Sequence, residues 1–248
     1  MRYLGMIGGM SWESTAEYYR LLNRGVAERL GGLHSAPLLI HSVDFAEVAA
    51  LQAAGDWAQA GRLLAGVAQR LEAAGAEALV LATNTMHHVA GAIERAVSIP
   101  LLHIVDVTGA ALDRAGVRRV GLLGTRYTME LPFWRERLAE RFGIGVVVPD
   151  EADRTTVHRV IYEELCKGRV EPDSRAAYQA VIGRLTREGA TAVVLGCTEI
   201  TLLVGPADSP LPVFDTTALH ADAAVEFMLR SGAPVDTMRT ASSHATTR

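Results

Sequence analysis

Ala78-Leu79-Val80-Leu81-Ala82-Thr83-Asn84-Thr85-Met86-His87 and Ala192-Val193-Val194-Leu195-Gly196-Cys197-Thr198-Glu199 are the two stretches whose reading decides the fold. Each is a short apolar run without alternation that ends abruptly in small polar groups. A strand covered on both faces reads this way, as in a parallel sheet sandwiched between helices. In open α/β sheets the carboxyl ends of such strands are where ligands bind. One run ends in a threonine where the other ends in a cysteine, so Thr83 and Cys197 are expected to face a single small substrate from opposite sides.

Apolar runs alternate with amphipathic segments outward from these two. Strands are expected at Tyr3-Ile7, Pro37-Ser42, Ala78-Ala82, Leu101-Ile104, Arg119-Leu123, Gly145-Val148, Ala192-Leu195 and Val213-Phe214, with helices such as Asp56-Ala74, Ser174-Glu188 and Thr217-Leu229 between them. Glycine follows several helical segments, at Gly75, Gly116 and Gly189, as a helix stop. The pattern is α/β with mainly parallel strands. It also repeats. Gly8 and Gly124 stand 116 positions apart, Thr83 and Cys197 stand 114 apart, and Pro100 and Pro212 stand 112 apart. Three landmarks in one order at nearly one offset predict two pseudo-symmetric Rossmann-like lobes with a cleft between them. The first lobe is expected over residues 1–100, joined by a C-terminal helix at about 216–230, the second over 101–215, and a disordered tail over 231–248.

The 248 residues are 49% hydrophobic and 21% charged, with net charge −4 and a pI near 6.1. That balance gives a large core and no basic footprint for nucleic acid or an anionic membrane. No apolar stretch reaches the roughly 18 residues of a membrane helix, and no signal peptide is read at Met1. With only two cysteines, Cys166 and Cys197, a reduced cytoplasmic setting is expected.

Cys197 follows a strand and a glycine and precedes Thr198-Glu199, which reads as a helix start. Backbone N–H groups and a helix dipole there would favour thiolate over thiol. Cys166 lies in a helix-like segment and is expected to be structural. Thr83-Asn84-Thr85 offers hydroxyls and an amide at the opposite strand end, suited to an α-carboxylate or to capping a helix. His87 and His88 have no partner at metal-ligand spacing, so no metal site is expected. Gly8-Gly9-Met10-Ser11 is a glycine turn but neither a dinucleotide fingerprint nor a Walker loop.

Together these segments resemble the aspartate/glutamate racemase family, the cofactor-independent amino-acid racemases. The resemblance rests on Gly8-Gly9-Met10-Ser11-Trp12-Glu13-Ser14, Asn84-Thr85-Met86-His87, Gly124-Thr125 with Thr128, Gly196-Cys197-Thr198-Glu199 and Pro212-Val213-Phe214-Asp215, and it spans roughly residues 3 to 229. It implies two α/β lobes, an isomerase without pyridoxal phosphate or metal, a small amino-acid substrate, and a homodimer. In the family two cysteines flank the substrate Cα, one removing the α-proton and the other supplying one on the opposite face. Thr83 departs from that pattern, and the chain is most similar to a Thr/Cys subgroup of bacterial L-aspartate/L-glutamate racemases. By that resemblance Cys197 serves the L-enantiomer and Thr83 the other face. Asn84, Thr85, Thr125, Thr128 and Thr198 surround the α-carboxylate and amino group, Met10 and Glu199 complete the site, and Gln52 stands in for a missing side-chain-binding arginine. Lys167 is a further candidate contact. Two alternatives keep a different chemistry: a single-cysteine decarboxylase of the arylmalonate type, or an inactive amino-acid-binding relative.

Overall fold

A computed structural model of the chain describes residues 1–230; the expected tail at 231–248 lies outside the described residues. In chain order the elements are β1 (Leu4–Gly8), α1 (Trp12–Leu30), β2 (Leu38–Ser42), α2 (Phe45–Ala54), α3 (Trp57–Ala73), β3 (Ala78–Leu81), α4 (Ala90–Glu94), α5 (Ile104–Arg114), β4 (Arg119–Gly124), α6 (Arg126–Glu130), α7 (Phe133–Phe142), β5 (Gly145–Val147), α8 (Glu151–Glu163), α9 (Pro172–Arg187), β6 (Ala192–Gly196), β7 (Val213–Asp215) and α10 (Thr216–Leu229). Short 3-10 turns follow β3 at Thr85–Val89 and β6 at Thr198–Leu202.

The strands form two all-parallel sheets, ordered β2-β1-β3 and β5-β4-β6-β7. The internal repeat is visible in their hydrogen bonds. Val193 N–H donates to Pro212 O to seat β7 beside β6, and Leu79 N–H donates to Pro100 O at the equivalent place beside β3. There the pairing stops at one bridge, Leu79 with Leu101. The expected strand Leu101–Ile104 is therefore not formed. His103 accepts the Val105 N–H on Nδ1 and starts α5 at Ile104, diverting the chain before a fourth strand can extend.

Side-chain phase explains how the two strand ends are aimed. Leu79 and Leu81 join the core beneath α2 and α3, whereas Ala78 and Val80 join the core beneath α1 and α10. Val193 and Leu195 likewise face α8 and α9, and Ala192 and Val194 face α5 and α7. Because strand side chains alternate, the next odd positions, Thr83 and Cys197, leave their sheets in the same phase. The last helix, α10, packs Ala221, Ala224, Val225 and Met228 onto β1, β3 and α1.

The turn after β1 depends on Gly9, whose φ of +93° is costly for any residue with a Cβ. A Cβ there would also stand 2.2 Å from the Val43 carbonyl oxygen. The tight turn delivers Met10 and Ser11 to the cleft, and Ser11 caps α1 by accepting the Ser14 N–H at 3.2 Å.

Candidate active site

The carboxyl ends of β1, β3, β4 and β6 converge on a cleft enclosing about 490 Å³ of empty space, part of it open to solvent. Its wall carries Thr83 and Cys197 together with Met10, Gln52, Asn84, Thr85, Thr125, Thr198 and Glu199. Of the expected site residues, Thr128 and the further candidate Lys167 are off the wall. Thr128 lies just behind it. It is fully buried, with its hydroxyl 3.2 Å from those of Thr85 and Thr125, which lie 2.9 Å from each other. Thr128 therefore orients the two threonines that face the cleft. Lys167 is exposed and does not line it.

The β6 end is a buried thiol–carboxylate pair. Cys197 Sγ–H donates to Glu199 Oε2 at 3.0 Å, and Glu199 Oε1 accepts from Ser11 Oγ at 3.1 Å and Ser14 Oγ at 3.2 Å. Three donors from two lobes hold this carboxylate. Burial pushes the Cys197 thiol well above its ordinary range, and the Glu199 charge pushes it further the same way. This reverses the thiolate expected from the sequence. A single 3-10 turn follows Cys197 instead of a full helix, and the adjacent carboxylate outweighs whatever its N–H groups supply. The resting group is a thiol with a proton acceptor already in contact.

The β3 end is built differently. Thr83 is half-buried on the cleft wall, and among the described residues its hydroxyl has no hydrogen-bond partner. Nor does it cap a helix. Its backbone is fixed instead: Thr83 N–H donates to Leu81 O, and His87 Nδ1–H donates to Thr83 O at 2.8 Å. The Ile104 N–H donates to His87 Nε2 at 3.2 Å, which settles that Nδ1 carries the proton. His87 stacks edge-on against His103 and His220, with centroids 4.7 and 5.8 Å away. His220 donates from Nε2 to Leu102 O at 2.6 Å and accepts the Tyr18 hydroxyl on Nδ1 at 2.8 Å. Burial holds all three imidazoles neutral, His103 down to about 2 and His220 to about 4. None of them contacts the Thr83 hydroxyl, so none is placed to ionise it.

Asn84 donates from Nδ2 to Thr216 Oγ1 at 3.0 Å, while its Oδ1 is buried without a donor. A dehydrated carbonyl oxygen on a cleft residue is costly unless something pairs with it, and a substrate ammonium is a fitting partner. Thr198 is tied to Thr217, 3.2 Å between hydroxyls.

Sequence reasoning missed Ser11 and Ser14 as holders of Glu199, and Phe45, Ile161, Tyr162 and Cys166 as wall residues. Cys166 is thus not a remote structural cysteine. The chain leaves α8 at Glu163 and a separate 3-10 turn at Leu165–Lys167 brings Cys166 to the wall, a break that helical spacing does not reveal. Among the described residues no cluster of three or more His, Cys, Asp or Glu could hold a metal ion, and no helix is long and apolar enough to cross a membrane.

With this geometry in view, the chain matches the model of the Asp/Glu/hydantoin racemase family over residues 7–224. It belongs to that family. It is similar to the crystal structure of a candidate Asp/Glu racemase from Yersinia pestis, 54% identical with a TM-score of 0.88, covering 93% of this chain and 100% of that one. It is also similar to an aspartate racemase homologue from Pyrococcus horikoshii OT3, 33% identical with a TM-score of 0.81, covering 92% and 99%. The broad specificity amino-acid racemase RacX of Bacillus subtilis is 26% identical over 165 residues, 65% of this chain and 69% of that protein. The chain is an isomerase of the amino-acid racemase type.

Proposed function

We propose that this racemase works at the substrate Cα with Cys197 on the face of the L-enantiomer and Thr83 on the opposite face. The observation that carries the reading is a thiol in contact with a carboxylate, set across one cleft from a hydroxyl that has no partner among the described residues. The Cys197 proton passes to Glu199 Oε2. The thiolate then takes the α-proton of the bound L-amino acid, leaving a carbanion delocalised into the α-carboxylate. Thr85 and Thr125, braced by Thr128, hold that carboxylate, and Asn84 Oδ1 accepts from the ammonium. The thiol can return a proton to the same face, or Thr83 can deliver one to the other, directly or by passing on a proton from water.

A threonine hydroxyl is a weak base at neutral pH, yet it can donate to a carbanion. Racemisation has an equilibrium constant of one, so kcat/KM is the same from either enantiomer. A poor donor at Thr83 therefore slows inversion in both directions, and it leaves same-face proton exchange the faster event. Aspartate and glutamate, the substrates the resemblance implies, are the reference substrates. By the same resemblance the enzyme is proposed to need neither pyridoxal phosphate nor metal, and to act as a cytoplasmic homodimer. The polar wall at Thr83, Asn84 and Thr85 supports a racemase over a decarboxylase, which would expel carbon dioxide into an apolar pocket.

Cys197→Ala tests the reading. It should abolish α-proton exchange from L-amino acids while ligand affinity, measured calorimetrically, persists. Exchange that survives the substitution would contradict it.

A further inference from the structure

Ser14, Thr198 and Glu199 stand on two walls at once. One is the wall of the cleft. The other belongs to a groove of about 700 Å³ of empty space, completed by Glu13, Glu17, Arg20, Thr201 and Leu202. Glu13, Thr201 and Leu202 are exposed, so the groove opens to solvent.

Among the described residues three side chains are hydrogen-bonded to the Glu199 carboxylate, and they lead to different places. Cys197 donates to Oε2, Ser11 donates to Oε1, and both line the cleft but not the groove. Ser14 donates to Oε1 at 3.2 Å and lines the groove as well, although it is only 4% exposed. The Thr198 hydroxyl, between the same two spaces, is paired with that of Thr217. A chain of hydrogen-bonding groups therefore runs from the Cys197 thiol through both Glu199 oxygens to Ser14 Oγ, with no link longer than 3.2 Å. Its outer end is set in a negative field. Glu13 and Glu17 outnumber Arg20, which is ion-paired to Glu17, and such a groove favours the arrival of protons.

The chain answers a problem that the cleft poses. A substrate with its Cα against Cys197 covers the thiol from the cleft side. Exchange of the α-proton nevertheless requires the proton on sulfur to be swapped for one from water before the carbanion takes it back. We propose that Ser14 is a proton relay joining the Cys197–Glu199 pair to water in this groove, so that the thiol exchanges with solvent while substrate fills the cleft. The inference rests on the racemase reading and adds the route by which its protons travel. The Cys197 S–H bond breaks as Glu199 Oε2 gains the proton. A half-turn of the carboxyl group, whose torsion is two-fold and soft, presents that O–H to Ser14 Oγ. Ser14 accepts it and releases its own hydroxyl proton to a groove water, a hydroxyl being both donor and acceptor. The reverse sequence carries a deuteron inward, so one proton leaves as one deuteron arrives and the charge of the pair is unchanged.

Exchange and inversion separate this relay from a merely structural role. Inversion draws its incoming proton from the Thr83 side and needs no swap at sulfur within the lifetime of the carbanion. L-aspartate and L-glutamate are incubated in D2O, with exchange followed by NMR and inversion by chiral chromatography. Ser14→Ala leaves Ser11 to cap α1 and to hold Glu199. It should lower exchange by about tenfold, a modest loss for a group acting through another, and leave inversion unchanged. Ser14→Cys, closer to serine in size and a weaker hydrogen-bonding group, should show the same split to a lesser degree. Ser11→Ala loses an equivalent bond to Glu199 on the cleft side and should move exchange and inversion together. Exchange that stays at the wild-type rate in the folded Ser14 variants, or falls only in step with inversion, would overturn the relay and leave the racemase reading intact. A selective loss of exchange in Ser11→Ala would equally overturn it. No exchange in the wild type would overturn the racemase reading, and the relay with it.

Discussion

The ends of β3 and β6 share a backbone plan and differ in chemistry. Each closes an apolar parallel strand, each turns into a short 3-10 segment, and each accepts a flanking chain through a matched hydrogen bond, Leu79 to Pro100 and Val193 to Pro212. At β6 the functional atom is partnered, Cys197 Sγ to Glu199, and that carboxylate is tied across the cleft to Ser11 and Ser14. At β3 the main chain is partnered, Thr83 O to His87, and among the described residues the hydroxyl has no partner. Both halves keep the phase in which the two groups leave their sheets, while the hydrogen-bond partners differ. In the proposed mechanism one end removes a proton and the other only delivers one.

Removing the active end should have the largest effect. Cys197→Ala should lower α-proton exchange by about a thousandfold or more, the scale of losing a positioned acid–base group. Making the ends alike should come next. Thr83→Cys should raise the ratio of inversion to exchange by roughly ten- to a hundredfold, since a thiol is a far better acid and base than the hydroxyl it replaces. Chiral chromatography set beside NMR exchange checks it.

Weakening the partnership at β6 should be milder. Glu199→Gln removes both the proton acceptor and the charge that adds to burial in keeping the thiol protonated. Maximal exchange should fall by about tenfold, a modest loss for a group acting through another. The alkaline rise in rate, which follows thiol ionisation, should meanwhile move to lower pH, because losing the charge lowers the thiol's pKa. A pH–rate profile separates these two effects from a purely structural loss.

The smallest effect concerns what stands behind β3. His87, His103 and His220 are held neutral, with folded pKa values below the roughly 6.5 of a free imidazole. Such groups contribute stability above that pH and lose it as pH falls toward about 4, where His220 takes up its proton. Thermal melts should therefore drop between about pH 6.5 and 4 in the wild type, and less in His220→Asn.

How much of this was legible depended on whether the deciding contact was local. The runs at 78–82 and 192–195 read as strands because a strand buried on both faces must be apolar at every position. Their equal phase, and so the pairing of Thr83 with Cys197, followed from the offset of the repeats. Leu101–Ile104 misled because Leu-Leu-His-Ile is as apolar as a strand, while the hydrogen bond that starts a helix there belongs to His103 Nδ1. The thiolate misled because sequence shows Glu199 as a neighbour of Cys197 and not as its hydrogen-bond partner. Ser11 and Ser14 reach Glu199 across more than 180 residues, a closeness only the closed fold supplies.

The central claim is an asymmetry between the two faces of the cleft. Wild-type enzyme, an L-amino acid and D2O test it in one sample, with α-proton loss read by NMR and optical activity by circular dichroism. The account predicts that exchange outpaces loss of optical activity, with solvent deuterium delivered mostly to the face from which the proton left. Loss of optical activity keeping step with exchange would contradict it and would place a second effective base on the Thr83 side.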